Sequence, residues 1–158
     1  MTKLRPLYYP EMFSLVDKED YFFLTGLDWY MNWRHMTLTT EIDGKTTSLA
    51  RVVMAQHHHI GVDSRGRPLE IDHISGDRLD NRKSNLRICT HQQNLYNRLK
   101  GKSCSNEYKH IYPRRDGWYK IEVKPHRKYA KTIEEAIAIR DNLVQLVQGN
   151  YAPLKRVI

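Results

Sequence analysis

The stretch LEIDHISGDRLDNRKSNLRICTHQQNLYN, residues 69–97, decides how this chain is read. His73 follows Asp72 at the end of an apolar run, and Asn85 and Asn94 stand twelve and twenty-one positions beyond the imidazole. A neutral histidine, with an ordinary pKa of about 6.5, accepts a proton at physiological pH. Carboxylates and carboxamides are oxygen donors that suit Mg²⁺ or Mn²⁺, whereas zinc prefers sulfur and imidazole. One base, one carboxylate and two or three neutral oxygen ligands make a site for a single hard cation and a polarised water. That is the chemistry of phosphodiester hydrolysis.

The same residues predict their own local structure. Leu69, Ile71 and Ile74 indicate a short strand of mixed exposure. Residues 75–84 hold Gly76, three basic residues, two aspartates and Asn81, with Leu79 as the apolar exception, and read as an ordered polar loop. Alternation returns over Leu86–Cys89, a second strand. Thr90 then precedes Gln93 at capping-box spacing, which opens a helix. His91 and Asn94 lie one turn apart on that helix and can face the same point.

On these residues the segment resembles the ββα-metal core of HNH endonucleases, especially the phage-encoded homing type, in which D-H, N and N recur at this spacing. The resemblance implies a metal-dependent DNA endonuclease with His73 as general base on the attacking water. It implies that Asp72 and Asn94 bind one divalent metal, Mg²⁺ with Mn²⁺ as substitute, and that His91 is the alternative to Asn94. Asn85 is implied to brace the loop and the orientation of His73. The loop cations Arg78, Arg82, Lys83 and Arg87 can hold the flanking phosphate backbone. A solvated charged loop is the other reading of each. An Asp-His pair alone is commonly such a loop, so the complete pattern carries the resemblance.

Charge distribution agrees with a nucleic-acid partner. The 158 residues carry a formal +8. Residues 1–94 hold twelve Lys/Arg and twelve Asp/Glu, while residues 95–158 hold fourteen and six, so the whole excess lies in the second portion. A neutral catalytic part joined to a basic part suggests chemistry first and grip second, although basic segments also serve solubility.

The basic part has its own pattern. His110–Arg115 and Trp118–Val123 read as strands flanking the hairpin signal Asp116-Gly117, and His126–Ala130 adds a third. Thr132 and Glu135 have capping-box spacing and open a helix to about Val147, with Ile133, Ala136, Ile137, Leu143, Val144 and Val147 on one face. The segment HIYPRRDGWYKIEV…KYAKTIEEAIAIRD resembles the AP2-type DNA-binding domain over about 109–145. By that resemblance Arg114, Arg115, Trp118, Lys120 and Lys128 face double-stranded DNA, with a core role as the favoured alternative for Trp118.

The N-terminal part reads as support for this site. A short helix is expected over Asp17–Asp28, with Tyr21, Phe22, Phe23 and Leu27 on its apolar side. His35–Ile42 and Lys45–Ala50 bracket Asp43-Gly44, a hairpin, and Arg51–Ala55 forms a short helix. Phage HNH proteins often run from such a hairpin into an L-H-R segment; Leu49-Ala50-Arg51 lacks that histidine. His57-His58-His59 has the look of a metal site, yet consecutive side chains diverge, so at most two could share an ion. Cys89 and Cys104 have no C-x-x-C partners, which excludes a four-cysteine zinc site and leaves Cys89 as a buried strand residue.

The expectation is therefore an α+β chain. A nuclease domain spans 1–100, its ββα core about 69–100, followed by a linker at 101–106 and an AP2-like module at 107–158. Two cysteines, no apolar leader and no membrane-length span point to a reducing cytoplasm, that of an infected host cell for a phage protein. One site per chain cuts one strand, so a monomer would nick; no heptad or symmetric apolar patch demands a dimer. Two rivals stand beside this reading: a DNA-binding regulator on the same fold, and a nuclease or binder of structured RNA.

Overall fold

A computed structural model of the chain describes residues 2–97 and 108–151, so the expected linker and Cys104 lie outside the described residues. Two units form, Met1–Asn94 and Leu95–Ile158. Every named sheet is antiparallel and the helices pack beside them, an α+β arrangement. Among the described residues no helix is long and apolar enough to cross a membrane.

The first unit opens with β1 (Thr2–Leu4) and β2 (Ser14–Val16), paired with Lys3 opposite Leu15. Helix α1 (Lys18–Leu24) follows. Next comes a sheet of β3 (Tyr30–Asn32), β4 (Thr37–Ile42) and β5 (Lys45–Ser48), with β4 central. Asp43 and Gly44 join β4 to β5 with φ of 50° and 70°, the left-handed pair that a two-residue hairpin loop requires. Ser48 caps helix α2 (Leu49–His57) by accepting the Arg51 backbone N–H at 3.4 Å. Strands β6 (Glu70–His73) and β7 (Leu86–Cys89) then form a ribbon that runs into helix α3 (His91–Asn97). The capping box is reciprocal: Thr90 N–H donates to Gln93 Oε1 at 2.8 Å, and Gln93 N–H to Thr90 Oγ1 at 3.3 Å.

Leu4, Val16, Leu24, Trp29, Leu38, Leu49, Val53 and Leu86 form the centre of this unit's core, with Ile71, Leu79 and Ile88 packed against it. The β6–β7 ribbon is thus held by apolar contacts from the N-terminal elements. Two expectations need correction. Helix α1 is shorter than Asp17–Asp28, and it buries Asp20 and Leu24 while Phe22 is 90% exposed. Asp20 turns inward because it has a partner, His57, at 2.6 Å. The helix expected at Arg51–Ala55 extends in both directions, since Leu49 and Ala50 belong to the core.

In the second unit β8 (Ile111–Pro113), β9 (Tyr119–Val123) and β10 (His126–Ala130) form a meander with β9 central. Gly117, at φ 81°, lies in the loop between β8 and β9, where Arg114 N–H donates to the Trp118 carbonyl at 2.8 Å. Helix α4 (Ile133–Gln148) is capped by Thr132, whose Oγ1 accepts the Glu135 N–H at 3.2 Å. Ile111, Ile121, Ala130 and Ala136 are buried together, flanked by Ile133, Ile137 and Leu143.

Directly opposed residues of an antiparallel pair share a face. Ile111 opposes Ile121, which opposes Lys128, so all three belong to the helix side. Tyr112, Lys120 and Tyr129 share the open side. Lys128 is therefore on the wrong face for the sheet surface expected of it, and Tyr129 occupies that position. Trp118 is no core aromatic: it is 39% exposed, with the Lys131 ammonium 5.3 Å from its ring centroid.

Candidate active site

Alternation along β6 divides the expected residues between two faces. Asp72 opposes Arg87 and Glu70 opposes Cys89 on one face; His73 opposes Leu86 and Ile71 opposes Ile88 on the other. The second face is the one that packs on the core, so His73 is partly buried at the strand end. Burial pushes its imidazole below the ordinary histidine value, against the opposing pull of its bond to Asn81 and the charge of Asp72. The neutral, proton-accepting form is favoured.

Asn81, rather than Asn85, holds the ring: His73 Nε2 lies 3.1 Å from Asn81 Oδ1. Asn85 braces the loop. Its Oδ1 accepts the Ser75 N–H at 2.8 Å, and its Nδ2 donates to the Asp80 carbonyl at 2.7 Å. Within the loop Arg82 pairs with Asp80 at 2.6 Å and holds that carboxyl below the usual range. The N-terminal strands add a second clamp. Leu15 N–H donates to the Leu79 carbonyl at 2.7 Å, Asn81 N–H to the Leu15 carbonyl at 2.8 Å, and Lys83 N–H to Asp17 Oδ2 at 2.9 Å.

On the other face, His91 and Asn94 do converge, and the point they share is Glu70. His91 Nδ1 is 2.7 Å from Glu70 Oε1, and Asn94 Nδ2 donates to Glu70 Oε2 at 2.6 Å. Asp72, 5% exposed, is engaged by Arg87, whose Nε and Nη2 reach Oδ2 at 2.8 and 2.6 Å. The two expected metal ligands thus lie towards the same side of the ribbon, each with its own partner. Glu70 was missed, though its place two residues before Asp72 on one strand was a usable signal. Asn81 had none, since its partners lie at the strand end and in β2. Cys89 is buried, as expected, and burial pushes its thiol up to about 12.

Three of the four expected phosphate contacts are engaged in ion pairs, Arg82 with Asp80 as described. Arg87 holds Asp72, and Lys83 pairs with Glu19 and sits 3.5 Å from Asp20 Oδ2. Arg78 donates to the His35 carbonyl at 2.9 Å and is otherwise exposed. Glu19, Asp20 and His57 bring three ligand atoms within 4.8 Å of one another, yet the Lys83 ammonium already supplies positive charge there. Of the histidine run, only His57 enters this group.

On the open face of the second unit, Arg114 pairs with Asp116 at 2.8 Å, and Lys120 and Arg127 share Glu122 at 3.2 and 2.7 Å. Arg115 is exposed. Arg114 also lies 5.3 Å from the Tyr129 ring centroid, and Lys120 4.9 Å from that of Tyr112.

Residues 52–96 match the model of a family described as HNH endonuclease. The match takes in most of α2, the whole β6–loop–β7 ribbon and α3 as far as Tyr96. It supports the HNH part of the chain and, with it, a hydrolase acting on nucleic acid. No curated protein and no solved structure matches the chain.

Proposed function

We propose that the protein is a divalent-metal-dependent HNH endonuclease that nicks double-stranded DNA, of the phage homing or free-standing type. The reading rests on one observation. The family match lies over the strand–loop–strand–helix unit in which a partly buried His73 is anchored at Nε2, with Asp72, Glu70 and Asn94 on the side of the ribbon towards α3.

His73 takes a proton from water as the water oxygen bonds to phosphorus. The bond from phosphorus to the leaving sugar oxygen breaks, and its electron pair stays on that oxygen. The oxygen donors, carboxylates with a carboxamide, fit a hard dication, which Asp72 and Asn94 would hold, with His91 as the alternative ligand. Mg²⁺, or Mn²⁺ in its place, would supply charge that stabilises the phosphate and the departing oxygen. Asn85 keeps the loop closed beneath the ring. The AP2-like second unit grips the duplex through Arg114, Arg115, Trp118 and Lys120, with Arg127 added.

Conversion of supercoiled phage DNA to open circle tests this. Wild type with Mg²⁺ nicks, EDTA abolishes nicking, and His73→Ala binds without cutting. Equal cutting by both proteins would refute the assignment. Binding without cutting by wild type would favour the regulator reading.

One observation favours an RNA substrate instead: Tyr112, Trp118 and Tyr129 are all exposed in the second unit, where aromatics can stack unpaired bases. Competition of labelled duplex by folded RNA separates the two readings.

A further inference from the structure

Of the four expected phosphate contacts, Arg78 alone forms no ion pair among the described residues. It is aimed by the turn between β3 and β4, since its Nη1 donates to the His35 carbonyl at 2.9 Å. The neighbouring Asp77 carboxylate is turned to the backbone, accepting the Leu79 N–H at 2.9 Å. After burial, which is the main cause, the Arg78 charge adds to the lowering of the His73 imidazole, so Arg78 and the turn border the candidate active site.

The turn is Trp33-Arg34-His35-Met36, closed by the pairing of Asn32 with Thr37. The His35 N–H meets both the Asn32 carbonyl and Asn32 Oδ1 at 3.2 Å, which orders it. Met36 takes φ 49°, a left-handed conformation in which glycine or asparagine is the usual occupant. None of the four residues is a turn former, so the demands of the turn do not account for them. All four are exposed, and the Trp33 ring, at 48%, stands edge-on against Tyr9 with centroids 4.9 Å apart. A lone exposed tryptophan needs no explanation. This one is braced, and it adjoins Arg34, which also forms no ion pair among the described residues. Guanidinium groups for phosphates and an aromatic face for a base are what a nucleic-acid strand requires.

We infer that the β3–β4 turn is a DNA contact of the first unit, in which Arg34 and Arg78 hold backbone phosphates of the strand beside His73 and the Trp33 ring packs on one of its bases. This rests on the proposed nuclease acting on duplex DNA. Trp33 and Arg34 lie outside the matched segment 52–96, so the contact belongs to the N-terminal elements of this chain.

The test uses the full chain carrying Trp118→Phe, in EDTA, so that DNA is bound without being cut. Of the three tryptophans, Trp29, 2% exposed, and Trp33 then remain, and Trp33 is the one open to a ligand. Sheared phage duplex should quench the emission with the midpoint that filter binding gives. Adding Trp33→Phe should abolish the quenching while binding persists. Binding that leaves the Trp33 emission unchanged overturns the inference, as does quenching by folded RNA but not by duplex. In the otherwise wild-type chain, Arg34→Gln should raise Kd about threefold and lower the slope of log K against log salt by about 1. Trp33→Ala with Arg34→Gln should raise Kd about tenfold. A wild-type Kd and slope in both variants would also overturn it. The urea midpoint reports whether the double variant folds; if it does not, Arg34→Gln and the emission decide. Duplex that quenches Trp33 but is never nicked once Mg²⁺ replaces EDTA sinks the nuclease reading and leaves the contact standing. Duplex that does not bind the wild type at all removes both.

Discussion

Cations in both units pair with carboxylates, but with carboxylates of opposite character. In the first unit, Arg87 meets the buried Asp72, and Lys83, besides its pair with the exposed Glu19, sits 3.5 Å from the buried Asp20. In the second, Arg114 meets an exposed Asp116, and Lys120 and Arg127 share a Glu122 on the open sheet face. An exposed pair in high dielectric contributes little and can be exchanged for a phosphate. A cation paired with a buried carboxylate cannot leave without stranding a charge. Similar side chains thus have different surroundings: Arg87 and Lys83 are tied to buried carboxylates of the first unit, and those on the open sheet of the second can be given up to an anionic partner.

The largest effect should come from breaking a buried pair. Arg87→Ala leaves Asp72 without its guanidinium and should destabilise the first unit by about 3–5 kcal/mol in urea unfolding with EDTA present. Arg114→Ala, by contrast, should leave the midpoint where it is. Equal midpoints for wild type and both variants would mean that the buried and exposed pairs do not differ.

Affinity should show the reverse order. Arg114→Ala combined with Arg127→Ala should weaken duplex binding and reduce the slope of log K against log salt by about 1 for each phosphate no longer neutralised. A slope unchanged by the double substitution would rule out phosphate binding at this face.

A smaller effect concerns His110, whose Nε2 is buried without a hydrogen-bond partner among the described residues. Burial, then the neighbouring Lys109 and Arg140, holds its imidazole below the ordinary value. The unfolded chain therefore binds the proton first, so stability is full above pH of about 6.5 and falls as pH drops towards the folded-state value. Hydrogen-exchange protection of the Ile121 and Val123 amides should decline over that window in wild type and less in His110→Asn. The smallest effect is the null expected for Lys128→Ala on duplex affinity, since Lys128 opposes Ile121 on the helix side. A loss matching that of Arg114→Ala would contradict the register argument.

What the sequence made legible was local. The Asp43-Gly44 turn, the Thr90–Gln93 and Thr132–Glu135 caps, strand β7 and strand β10 are each set by residues a few positions apart, and all were anticipated. What it hid depends on register or distance. Lys128 and Tyr129 are neighbours, and only pairing with β9 decides which one faces outward. Asp20 lies in a run that reads as an apolar helix face until His57, from another helix, is brought to it. Asn81 sits in a polar loop with no periodicity, and its partner Ser14 is 67 residues away. The His73, Asn85 and Asn94 spacing marked the ribbon, but not which carboxamide holds the ring.

The most direct test of the division between a cutting unit and a gripping unit is the single-turnover nicking rate of supercoiled DNA as a function of protein concentration. It should be measured for wild type, His73→Ala and the Arg114→Ala/Arg127→Ala double variant. The predicted result is that His73→Ala loses the maximal rate while filter binding gives a wild-type Kd. The double variant should reach the wild-type maximal rate at a higher half-saturating concentration. A double variant with a lowered maximal rate and unchanged half-saturation, or a His73→Ala protein that cuts at the wild-type rate, would contradict it.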